Sequence, residues 1–125
     1  MNWFLVAMGG ALGASLRYGA GIWLIKPNGL FPWTTWWVNV TGCFLAGVFF
    51  ACSQKYPALQ QEARLLFMVG ILGGFTTFSS FGLETFQLVK QGNMLIALAY
   101  VISSVIVGVI GLAVGFCLLQ YLLKA

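Results

Sequence analysis

The chain has 125 residues, of which 61% are hydrophobic and only 6% charged. A soluble domain carries roughly a quarter charged residues, so this chain cannot clothe itself for water and the bilayer must be its main solvent. The net charge of +4 comes from basic residues scattered singly, mostly at segment ends, which fits interface anchors and topology signals and argues against a nucleic-acid partner.

A spanning helix needs about 20 mostly apolar residues, and four such segments follow one another, predicting a single all-α membrane domain over 1–125. The first runs from about 3 to 25 and stops at "KPNG". No basic stretch precedes Trp3, so the start reads as mature protein rather than a signal peptide. Gly9 and Gly13, and Gly10 and Ala14, are four apart. Such small-xxx-small faces let helix backbones approach in lipid. Arg17 is the costliest residue of the segment. It can snorkel to the interface, bind backbone carbonyls or Glu84 at a helix end, or stand in an ion path.

The second segment runs from about 32 to 52 and is ended by "SQKYP". Trp33, Trp36 and Trp37 read as an interfacial belt. Thr35 and Asn39 are four apart and share a face. Asn39 has amide donors and an acceptor to satisfy, either as glue between helices or in a wet cavity. The longest water-facing piece, "QKYPALQQEAR", follows.

The third segment, about 64 to 89, ends at "KQGN" and holds "GGFTTFSSF" at its centre. Tandem Gly73-Gly74 weakens a helix by about 1 kcal/mol per glycine relative to alanine. Thr76, Thr77, Ser79 and Ser80 compete for backbone hydrogen bonds. This predicts a helix interrupted at mid-membrane, tolerated only where it is buried or lines a cavity. Its freed carbonyls suit a cation and its freed amides an anion. Phe75, Phe78 and Phe81 recur every third residue and are expected to project to roughly one side. Ring edges carry partial positive charge and can face a small anion.

The fourth segment runs from about 94 to 123, with Lys124 beyond. Ser104, Gly108, Gly111 and Gly115 repeat the small-residue spacing. Tyr100 and Ser104 are four apart, with Ser103 beside them. With Thr35 and Asn39 they suggest a strip of hydroxyls and amides without a carboxylate. Cys43, Cys52 and Cys117 lie in apolar runs without metal-ligand spacing, and there is no histidine. With no nucleophile–base pair either, the chain is not expected to be an enzyme.

An even number of spans puts both termini on one side, with Lys55, Arg64 and Lys124, and leaves Lys26 and Lys90 on the other. Three against two is a weak bias under the positive-inside rule. So weak a bias allows insertion in both orientations, and with it an antiparallel dimer.

"GGFTTFSSF", preceded by "VNVTGCFLAG" and "GGALGASLRY", resembles the Fluc (CrcB) family of fluoride channels over nearly the whole chain. The resemblance implies a bacterial inner-membrane protein, an antiparallel dual-topology homodimer with two fluoride pathways and a broken third helix. It also implies a structural sodium ion at the dimer centre, held by backbone carbonyls of both chains at positions matching Gly73 and Thr76. The family's pore phenylalanines match Phe78 and Phe81, its pore asparagine Asn39, and its pathway threonine Thr77. Its polar track matches Tyr100 and Ser104. Gly108 stands where some relatives have a serine, a departure at the far end of that track. Glu84 matches an acidic position near a pore mouth, and Phe75 a position usually apolar rather than functional. The implied activity is passive export of cytoplasmic fluoride. The alternative is a small dual-topology proton-coupled multidrug exporter, which would need an ionisable carboxylate in its path; Glu84 is the only acid within the spans.

Overall fold

The computed structural model describes residues 2–24 and 29–124. Ile25, expected to end the first span, and the Lys-Pro-Asn that follows it lie outside them. The described chain is helical almost throughout: α1 (Asn2–Trp23), α2 (Trp33–Lys55), a short 3-10 turn (Pro57–Gln60), α3 (62–75), α4 (Phe78–Lys90) and α5 (Met94–Lys124). Among the described residues, three stretches are long and apolar enough to cross a membrane: Trp33–Lys55, Glu62–Lys90 and Met94–Lys124. α1 is 22 residues long, but five glycines and Arg17 make it less apolar.

The second helix outlasts its expected end at 52 by one turn, through Ser53, Gln54 and Lys55. Ser53 Oγ donates to the Phe50 carbonyl and Gln60 Nε2 to the Ser53 carbonyl, so the polar residues extend the helix and tie it to the 3-10 turn. The "KQGN" stop between α4 and α5 has a full physical account. Gly92 takes a positive φ of 85°, the Asn93 N–H bonds the Leu88 carbonyl at 2.8 Å, and the Gly92 N–H bonds the Val89 carbonyl at 3.0 Å. This is the Schellman arrangement that a glycine just past a helix end permits. The Asn93 carbonyl then accepts the Ala97 N–H and starts α5.

Glycines set the packing. A Cβ on Gly9 or Gly13 of α1 would meet the backbone carbonyls of Leu66 and Ile71 in α3. A Cβ on Gly74 would lie 2.6 Å from the Gly10 carbonyl. The same device joins α2 to α5, where Gly47 faces the Leu112 carbonyl and Gly115 the Phe44 carbonyl. One feature had no sequence signal: α3 widens into a π-helix over Leu65–Leu72, between α-helical turns at Glu62–Arg64 and Gly73–Phe75. The wide turns lie where Gly9 presses on Gly70. Long π stretches are rare and cluster at functional sites.

Candidate functional site

The helix break falls at Thr76 and Thr77. Thr76 (φ −79°, ψ 157°) and Thr77 (φ −147°, ψ 121°) are extended, between the end of α3 at Phe75 and the start of α4 at Phe78. Two threonines manage the loose ends. Thr76 sends both its N–H and its Oγ1 to the Leu72 carbonyl, at 2.9 and 2.8 Å. Thr77 is the N-cap of α4, its Oγ1 accepting the Ser80 N–H at 3.1 Å.

The extended backbone of Thr77 is matched by a side chain. Asn39 Nδ2 donates to the Thr77 carbonyl at 3.0 Å, and the Thr77 N–H donates to Asn39 Oδ1 at 2.9 Å. The amide thus replaces the neighbouring strand that an extended residue would otherwise need. Gly42, one turn later, leaves room for the Thr76 methyl. The Asn-x-x-Gly spacing therefore has two jobs in one contact: holding Thr77 and seating Thr76. Because the Thr77 N–H turns to Asn39, it is withdrawn from the Gly73 carbonyl, its ordinary helical acceptor. On the other flank, Arg17 Nε donates to the Gly74 carbonyl at 3.0 Å, closing the end of α3 from α1.

A cavity of about 440 Å³ opens beside the break, with Asn39, Gly73, Thr76, Thr77, Phe78, Phe81 and Ser104 among its lining. Most candidate residues thus meet at one place. Ser104 Oγ is buried there with no hydrogen-bond partner. Phe78 is 83% exposed, its ring centroid 5.8 Å from that of Phe81, which in turn stands 5.0 Å from Tyr100. Phe75 does not share that side. It lines a separate cavity with Ala20, Leu24, Trp37, Val38 and Thr41. The expectation of three phenylalanines on one side is corrected here: period three holds only along a continuous helix, and the extended pair re-aims everything after Phe75.

Thr35 and Glu84 lie apart from this groove, lining a second cavity of about 390 Å³ with Phe31, Thr34 and Gln87. Tyr100, fully buried, connects the two regions: its ring packs on Phe81 and its hydroxyl donates to Glu84 Oε1 at 3.2 Å. Trp36 is not merely part of an interfacial belt. Its indole N–H donates to Ser103 Oγ at 3.0 Å, locking α2 to α5 beside Tyr100, while Trp33 and Trp37 are exposed. Gln87 and Phe31 also escaped the sequence reading. Their types are common in helices and turns, and only the fold brings them to the cavity.

Chemically, the groove offers donors without a fixed cation. Asn39, Thr77 and Ser104, which carry amide and hydroxyl hydrogens, line it together with the rings of Phe78 and Phe81. With the Thr77 N–H turned to Asn39, the Gly73 carbonyl lacks its ordinary helical donor, and a carbonyl oxygen is a ligand type suited to a hard cation.

A family model described as CrcB-like protein, Camphor Resistance (CrcB) matches residues 4–116. Among individual relatives, a protein of Nitrobacter winogradskyi is 46% identical over 119 residues, covering 92% of this chain and 94% of its own. One from Thermus thermophilus is 46% identical over 116 residues, with 92% and 91% covered. One from Chloroflexus aurantiacus is 40% identical over 115 residues, with 91% of each covered. All three carry the name fluoride-specific ion channel FluC.

Proposed function

The chain belongs to the CrcB family, and on that premise we propose that it is a passive fluoride channel through which cytoplasmic fluoride leaves the cell. It is a multi-pass protein of the bacterial inner membrane, of an ion-channel rather than an enzyme family. The observation that carries the channel reading is the groove beside the Thr76–Thr77 break, where donors gather with no fixed Lys or Arg among its lining.

Fluoride is small and strongly hydrated, so a pore must replace its water with hydrogen-bond donors. Asn39, Thr77 and Ser104 supply these, and the Phe78 and Phe81 rims add a weak positive field. A fixed ammonium or guanidinium would hold the ion too firmly, and conduction requires that it also leave. A buried hydroxyl without a partner, such as Ser104 Oγ, costs free energy, and a visiting anion would relieve that cost. Thr35, Tyr100 and Glu84 form the outer part of the route, with Glu84 at its mouth, and Arg17 has a structural role. Hydrofluoric acid crosses membranes neutral and dissociates inside, and a membrane negative inside then drives the anion out with about 2.3 kcal/mol per 100 mV.

The finer assembly is part of the same proposal. Two chains of opposite orientation pair, all four helical segments of each crossing the membrane, with the exposed face around Phe78 covered by the second copy. Gly73 and Thr76 carbonyls of both chains hold a structural sodium ion. When bound, it supplies a fixed positive charge near both pathways and ties the two breaks together. The exporter reading is not favoured: its one available carboxylate, Glu84, already accepts the Tyr100 hydroxyl, and the relatives carry the name of a channel. The deciding experiment is efflux from liposomes read by a fluoride electrode, with chloride as control. Rapid fluoride loss without chloride loss is expected, and equal leakage of both, or of neither, overturns the reading.

A further inference from the structure

A third cavity, of about 500 Å³, lies between the C-terminal ends of α2 and α5, far in sequence from the break. Its lining repeats at helical spacing on both sides: Ala51, Gln54 and Lys55 from α2, and Phe116, Gln120, Leu123 and Lys124 from α5. Phe116 and Leu123 offer an apolar flank, while two ammonium groups and two amides form the polar part. None of the lining residues is acidic, and the whole chain has only two acidic residues, Glu62 and Glu84.

We infer that this cavity binds the phosphate of an anionic membrane lipid, with the lipid's chain against Phe116. The two ammonium groups and two amides suit a single phosphodiester, which brings one negative charge and several acceptor oxygens. The Lys55 ammonium already donates to the Leu123 carbonyl and sits 5.9 Å from the Tyr56 ring centroid. That arrangement fixes it at the cavity while leaving hydrogens for an acceptor. A lipid fits better than free phosphate because Ala51 and Phe116 lie about one to two helical turns before Lys55 and Lys124, so an apolar inner end adjoins a cationic outer end, as tail adjoins headgroup in a leaflet. Basic residues at this depth each favour an anionic lipid by about fivefold.

The test is native mass spectrometry of the purified protein in micelles containing phosphatidylglycerol or phosphatidylcholine. It does not depend on fluoride flux, so it can fail or succeed whatever the channel assay shows. Wild type should retain phosphatidylglycerol about thirtyfold over phosphatidylcholine, from two lysines. Lys124→Gln should lose about fivefold of that preference. Lys55→Gln with Lys124→Gln should abolish it; Lys90→Gln is added there so that the topology charges, then Arg64 against Lys26, stay near balance. Lys90→Gln alone should bind as wild type. Equal retention of the two lipids, or a preference that survives in the multiple variant, overturns the site. Displacement of the lipid by millimolar inorganic phosphate would make the free anion the ligand and overturn the lipid assignment.

Discussion

Asn39 commits both halves of its amide to Thr77, so its two possible roles, glue and cavity wall, are one arrangement. Asn39→Asp separates them in a measurable way. The carboxylate keeps the acceptor for the Thr77 N–H but sets an anion against the Thr77 carbonyl and against any anion in the groove. A loss of about 1–3 kcal/mol of stability is expected, seen as a lower melting temperature in detergent, together with fluoride efflux near background. Phe78→Ile isolates the ring. The side chain is 83% exposed in the single chain, so the chain should fold as wild type, and because Ile keeps an apolar side chain on the face that meets the second copy it should still assemble on size exclusion, with markedly lower flux. Wild-type flux from Phe78→Ile would rule out a role for the ring edge.

Between elements, the decisive contacts are backbone on backbone. The Gly13 Cα of α1 sits where any Cβ would meet the Ile71 carbonyl and, at 2.8 Å, the Phe75 nitrogen, whereas Gly19 has nothing within 4 Å. Gly13→Val should therefore cost at least about 2–3 kcal/mol, since backbone cannot yield as a side chain can. Gly19→Ala should be neutral or stabilising by up to about 1 kcal/mol through helix propensity. Thermal denaturation of the two variants in one detergent distinguishes them. The small-residue spacing made these contacts legible in the sequence, and Gly73-Gly74 followed by hydroxyls made the break legible. The π turns of Leu65–Leu72 were not legible: an apolar run carries the same composition whether its bonds close at four residues or five. Nor was the re-aiming of Phe75, because periodicity assumes a continuous helix. Pairings such as Trp36 with Ser103, 67 residues apart, depend on how α2 meets α5, and no local pattern records that.

At the scale of the whole molecule, the proposed dimer ties activity to two conditions, a central ion and two orientations. Exchanging sodium for a much larger cation should weaken the proposed dimer or silence flux, because the backbone that carries the Gly73 and Thr76 carbonyls is tied down by the Arg17, Leu72 and Asn39 hydrogen bonds around the break. Full activity after thorough sodium removal would dismiss the structural ion. Orientation can be tested genetically, because the basic residues are so few. Lys55, Arg64 and Lys124 stand against Lys26 and Lys90, and a change of two or three charges should commit every chain to one direction. Gln61→Lys with Lys90→Gln drives the bias one way; Arg64→Gln, Lys124→Gln and Asn93→Lys drive it the other. Neither set touches the groove beside the break. Each variant expressed alone should give cells and vesicles with little fluoride efflux, for want of an opposite partner. Expressed together they should restore it, since each supplies the orientation the other lacks. Wild-type efflux from either one alone, with labelling of introduced cysteines showing a single orientation, would refute the antiparallel pair while leaving the groove chemistry of the single chain intact.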